Sequence, residues 1–207
     1  TATAQLDMPS LLAVAAALGW ASGFRLYAVV FLVGMMGVLG WMPLPPGLAM
    51  LQHPLVLMVS GFMLMVEFFA DKVPWVDSAW DAVHAFSRVP AGAALAYGVF
   101  GADNATMAVV AGLLGGSLSA TSMATKMTTR AAVNTSPEPF SNWGLSFFED
   151  GLVVAVVWLA TQHPVAFGVA LVVMVVVSVL LLVVLFKFLR AVVRRLSSFF
   201  SGSAKVA

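Results

Sequence analysis

From Pro164 to Phe186, 23 consecutive residues carry no ionisable side chain, and nothing else in the chain limits its fold so strongly. About 20 apolar residues in a helix cross the hydrocarbon core of a bilayer. The run ends on Lys187, Arg190, Arg194 and Arg195, the basic flank expected of a cytoplasmic helix end. The remainder is of the same kind. The chain has 207 residues, 61% hydrophobic and 9% charged, with a mean hydropathy of +1.01, whereas a soluble domain carries about 25% charged residues. Residues 1–207 therefore read as a single integral membrane domain with roughly five to seven spans. A soluble catalytic domain does not fit.

The expected fold is all-α, a polytopic transmembrane bundle of about six segments, some broken or re-entrant. Leu11 to Gly40 is apolar apart from Arg25 and longer than one span needs, and Gly19, Ser22 and Gly23 predict a break near Gly23. Three prolines between Trp41 and Gly47 force a turn at the membrane edge. Pro54 to Phe69 reads as the second span, ended by Val73-Pro74. Asp77 is a candidate N-cap for the next helix. Pro90 is expected to kink or end that helix, leaving a re-entrant piece or a kinked span. Thr106 to Thr125 is a small-residue helix suited to close packing. Phe140 to Ala160 follows a break at Asn134-Thr-Ser-Pro-Glu-Pro139, and Gln162-His-Pro164 makes a short turn. The halves 10–101 and 104–198 echo each other: each opens on an apolar helix that meets a base and then carries acids. With an odd number of spans in each, they would form an inverted repeat.

Charge inside such a chain is costly and marks function or pairing. Between Ala21 and Asp150 five basic residues stand against eight acidic ones. Asp77, Asp81, His84 and Arg88 fall at i, i+4, i+7 and i+11, one stripe of a helix. Lys126, Arg130 and Asn134 repeat every four residues. The candidate ion or solute pathway comprises Arg25, Glu67, Asp71, Lys72, Asp77, Asp81, His84, Arg88, Lys126, Arg130, Asn134, Glu138, Glu149 and Asp150. Buried carboxylates can bind cations or carry protons. In the plainer alternative these groups neutralise one another and hold the bundle together. Lys126, Arg130 and Asn134 also admit an anion site, or service as loop positives that set orientation. Costs in low dielectric predict that Glu67 or Asp71 meets Lys126 or Arg130. His53 and His163 lie in matching Gln-His-Pro turns and read as interface residues.

Two strings, Glu67-Phe-Phe-Ala-Asp-Lys-Val-Pro-Trp-Val-Asp-Ser-Ala-Trp-Asp-Ala-Val-His84 and Lys126-Met-Thr-Thr-Arg-Ala-Ala-Val-Asn-Thr-Ser-Pro-Glu-Pro139, carry a resemblance to the DUF4126 family of bacterial integral membrane proteins. It covers roughly Leu11 to Ala160. The resemblance implies a multi-span membrane protein of one recurring type and names no substrate.

The sequence has no cysteine, which removes disulfides and thiolate ligands. No basic n-region precedes the first apolar stretch, so no signal peptide is expected. Hydrolase, zincin and nucleotide-binding motifs are missing, so no enzyme and no cofactor is expected, and the metal question stays open. The leading expectation is a small transporter or channel with a charged polar core for an ion or small charged solute. The alternative is a structural or assembly subunit of a membrane complex. The expected partners are the lipid bilayer, the ion or solute, and further copies or other membrane subunits, with no nucleic acid. The expected setting is the bacterial inner (plasma) membrane, multi-pass, with a cytoplasmic C-terminus.

Overall fold

The computed structural model describes residues 6–101, 103–136 and 140–203. Among them the fold is all-helical: α1 (Met8–Val38), a 3-10 helix (Pro46–Gln52), α2 (Pro54–Ala70), α3 (Val76–Phe100), α4 (Ala105–Val133), α5 (Phe140–Gln162) and α6 (Pro164–Ser203). Local chemistry sets the starts. Asp7 caps α1 by accepting the Ser10 N–H (3.1 Å), and Asn104 caps α4 by accepting that of Met107 (3.0 Å). Pro54 and Pro164 occupy first helical positions, where the missing N–H costs nothing.

Length and apolarity qualify four helices to cross a membrane, α1, α4, α5 and α6, and the bent pair of the 3-10 helix and α2, at 68°, is a fifth candidate. The chain is thus built as a multi-pass membrane protein. For α3 the charges at Asp77, Asp81 and Arg88 interrupt the apolar run, yet this helix packs antiparallel along α4. There Gly92 meets Ser119, and Gly112 meets Tyr97.

At Arg25 α1 leaves helical geometry (φ −146°, ψ 78°), and the helix folds back there. Val14, Ala17 and Leu18 from the first arm and Val33 from the second line one cavity of about 10 Å³, together with Val157 and Ala160 of α5. In a straight helix Leu18 and Val33 would be about 22 Å apart. Contacts on the other side agree. The first arm lies on α3 at Gly19 and Gly92, while the second reaches the 3-10 helix at Gly34 and Leu51, whose neighbour Gly47 touches Gly98. The arms, 8–24 and 26–38, are about 25 Å and about 20 Å long, each short of a hydrocarbon core of about 30 Å. So α1 is a re-entrant hairpin with Arg25 at its tip.

The break predicted near Gly23 is present two residues later. The re-entrant piece is α1, whereas the segment around Pro90 is not: Pro90 lies inside α3, which continues to Phe100. Nor is Asp77 an N-cap. The helix starts at Val76 behind Trp75, whose positive φ of 69° makes the turn, and Asp77 sits within the first turn facing α4. The first arm of α1 and α4 run in the same sense, Gly19 against Gly115 and Gly23 against Ser122.

Candidate functional site

The end of α2, the start of α3, the end of α4 and the start of α5 gather at one end of the bundle, and the tip of α1 reaches into them. Glycine makes this approach possible. A Cβ on Gly19 would stand 2.5 Å from the Gly115 Cα, and one on Gly23 would overlap Ser122 and the Ser119 carbonyl, so the first arm of α1 is pressed backbone to backbone on α4. Ser122 Oγ donates to the Trp20 carbonyl (2.6 Å) and Ser119 Oγ to the Arg88 carbonyl (3.0 Å), tying α4 to both neighbours.

The charges are sealed. Arg25, Glu67, Asp71, Asp77, Asp81, Lys126 and Arg130 have no exposed surface, and Arg88 and Glu149 have 1%. Such groups persist in low dielectric only when paired, and the pairs run between elements. Arg25 Nη1 is 2.9 Å from Asp71 Oδ2, its Nε 3.2 Å from Asp150 Oδ1, and its Nη2 3.7 Å from Glu149 Oε2. Lys126 Nζ lies 3.1 Å from both Asp71 Oδ2 and Asp81 Oδ1, 3.8 Å from Glu67 and 3.9 Å from Glu149. It also donates to the Phe24 carbonyl (3.1 Å), one of those freed by the break in α1. Acids of the first half and bases of the second thus meet.

Arg130 is the most completely held cation. It forks onto Glu149 with Nε to Oε1 at 3.2 Å and Nη2 to Oε2 at 2.6 Å, and Nη1 donates to the Asp71 carbonyl at 2.8 Å. Asp77, 3.6 Å from Arg130, accepts from Asn134 Nδ2 at 2.8 Å, and Asn142 Nδ2 donates to Asn134 Oδ1 at 2.7 Å. Arg88 is bound differently. Its Nη2 meets Glu67 Oε1 at 2.6 Å and its Nη1 meets Asp81 Oδ1 at 2.7 Å. The second of these is an ion contact without hydrogen-bond alignment, as is Arg25 Nη1 to Asp71. Glu67 Oε2, Asp71 Oδ1 and Asp81 Oδ2 have no hydrogen-bond partner, nor does Arg88 Nε.

The remaining candidates lie at the margin. Asp150 is 27% exposed. Lys72 is half-buried, its Nζ 3.0 Å from the Phe68 ring centroid and 3.0 Å from the Phe68 carbonyl. His84 is half-buried too and stacks on Trp80 with centroids 4.1 Å apart, while Asp77, Asp81 and Arg88 face inward as their stripe requires. Glu138 lies outside the described residues. Two groups escaped the sequence reading, Asn142 and Ser146. Ser146 Oγ accepts from Arg25 Nη2 at 3.0 Å. With Glu149 they fall at i, i+4 and i+7, a polar stripe that spacing alone would have revealed.

The arrangement disfavours the anion site, because carboxylates already occupy Lys126 and Arg130. Among the described residues no group of three or more His, Cys, Asp or Glu is disposed to hold a metal ion. What the network can do chemically is hold and redistribute charge.

Neither a curated protein nor a solved structure matches the chain. A family model described as "Domain of unknown function (DUF4126)" matches residues 12–184, a stretch that takes in most of the first arm of α1 and all of the second, every described charge of the network and most of the apolar run of α6. The chain belongs to the DUF4126 family.

Proposed function

We propose that this protein is a small membrane transporter or channel whose charged core carries a proton or small cation, described here in a closed state. One observation carries the reading. Among the described residues five sealed carboxylates, Glu67, Asp71, Asp77, Asp81 and Glu149, stand against four sealed bases, Arg25, Arg88, Lys126 and Arg130. The half-buried Lys72 and Asp150 cancel each other. One negative charge in excess in low dielectric is unstable unless something positive joins it, and a site that must take up a positive charge can pass it on. The re-entrant tip at Arg25 supports the reading, since broken helices meeting at a charged midpoint are a recurring device of transporters.

The proposed orientation places the charged end and the C-terminus in the cytoplasm of a bacterial cell. Lys72, in the turn between α2 and α3, and Lys187, Arg190, Arg194 and Arg195, past the apolar run of α6, supply the bases on that side. The connections at the opposite end, 39–53, 101–104 and 163, contain no Lys or Arg. A reporter fused after residue 207 should be active only in the cytoplasm.

The test of transport is flux. Protein reconstituted in liposomes with an interior pH dye should acidify or alkalinise the lumen under an imposed gradient, and Glu67→Gln should abolish the response. The second reading, an assembly subunit, is favoured by the lack of exposed surface on the network. It gains if no proton, Na⁺ or K⁺ flux is detected while network variants release partner subunits from native membranes.

A further inference from the structure

We infer that the excess charge is held as one proton on the carboxylate pair Glu67 and Asp81, so that one of the two is a neutral acid in the closed protein. The inference deepens the transport reading by naming the proton as the species and the pair as its seat. The neighbours from every packed element decide the location. From α1, Arg25 turns to Asp71, Asp150 and Glu149 and makes no contact with the pair; Tyr27 stands by His84. From α4, Arg130 serves Glu149, Asp71 and Asp77. From α2 and α5, Asp71 and Glu149 each touch three bases: Arg25, Lys126 and Arg130. On α3 itself, Asp77 has the Asn134 amide and the Ser78 N–H besides Arg130.

Glu67 and Asp81 are left with Arg88, which they share, and with Lys126, which four carboxylates share. Both use one oxygen only. Glu67 Oε1 and Asp81 Oδ1 take all the contacts, and Glu67 Oε2 and Asp81 Oδ2, buried completely, take none. Two carboxylates on one guanidinium are like charges sharing a site, which opposes ionisation of both. A proton from bulk solvent, forming an O–H bond at a bare oxygen, converts one carboxylate to an acid and brings sealed acids and bases to equal charge. A metal ion fits less well: Arg88 and Lys126 already stand at 2.7 and 3.1 Å from Asp81 Oδ1 and would repel it.

The experiment is infrared spectroscopy of the purified protein at neutral pH, in a detergent free of ester groups, where a protonated carboxyl shows a carbonyl stretch that a carboxylate lacks. The expected result is such a band, lost in Glu67→Gln or Asp81→Asn, with melting temperatures of both variants near wild type because an amide mimics the neutral acid. Glu149→Gln should melt well below wild type, because it breaks the Arg130 fork. Absence of the band at neutral pH overturns the inference, as does a band that survives both variants. So does a melting temperature raised by Na⁺ or K⁺ over choline, which would put a metal cation in place of the proton. A band present without liposome flux keeps the inference and removes transport; flux without the band does the reverse.

Discussion

Two guanidinium groups in one network, Arg130 and Arg88, are bound in opposite ways. Arg130 engages Glu149 through a matched fork, donates to the Asp71 backbone carbonyl, and stands 3.6 Å from the carboxylates of both Asp71 and Asp77. Arg88 is divided between two carboxylates by one terminal nitrogen each, and oxygens and its own Nε are left over. Burial does not separate them, since both are sealed. The difference is one of stoichiometry: around Arg130 the bases suffice, around Arg88 they do not. A buried ion pair that is complete behaves as structure, and one that is short of charge behaves as a binding site.

The largest expected effect comes from removing the complete corner. Arg130→Met removes the hydrogen-bonded fork from Glu149 and the one base near Asp77, where water cannot reach, and breaking a buried pair in this way costs about 3–5 kcal/mol. Arg88→Met should cost less, because by the inference above one of Glu67 and Asp81 is already neutral and Lys126 stays beside the other. Thermal unfolding in detergent measures both. Equal losses would erase the distinction between the corners. The double variant Arg130→Met with Glu149→Leu should recover much of the stability, since it replaces a stranded charge by apolar contact.

How legible was this from the residues? The stripe Asp77, Asp81 and Arg88 announced a polar face because charge at helical spacing in an apolar chain must turn inward. Spacing says nothing of which base each acid meets, and the unequal corners depend on those partners. The fold-back of α1 was half legible. Gly19, Ser22 and Gly23 weakened the helix, but an apolar run of that length also suits one tilted span. The reversal is held by distant groups, Asp71 and Glu149 on Arg25 and Lys126 on the Phe24 carbonyl, which no local window contains. Of the two outcomes that Pro90 allowed, an end and a kinked span, the end does not occur: α3 continues through it, and α4 packs along both sides of that position.

An intermediate effect tests whether tight packing keeps the corners distinct. Gly19→Ala puts a methyl 2.5 Å from the Gly115 Cα, against backbone that cannot swing away, and overpacking of this kind costs about 1–3 kcal/mol. Pushing the first arm of α1 off α4 would also draw Arg25 from Asp71, making that acid resemble Glu67 in its shortage of bases. The infrared carbonyl band should then grow beside the loss of stability. Gly168→Ala is the control, for a Cβ there meets nothing within 4 Å. If both substitutions melt alike, the glycine contact does not hold the tip.

The smallest effect lies outside the network and separates its pH response from an ordinary one. Asp7 is fully exposed, and hydrogen bonds from Ser10, the side chain first and then the backbone N–H, lower its carboxyl below the usual value. A depressed folded value means that the contribution is present above the unfolded carboxylate range and fades as pH falls through the folded one. Protection of the Ser10 amide, measured against its intrinsic exchange rate, should therefore fall only in acid, and Asp7→Asn should keep the cap while flattening that dependence. The proton inferred on the Glu67–Asp81 pair makes the opposite prediction for the core: protection of amides around Arg88 should fall in alkali while the cap at Asp7 stays intact. A Ser10 protection factor that rises in acid would reverse the cap's sign, and core protection factors unchanged in alkali would leave Arg88's corner no different from Arg130's.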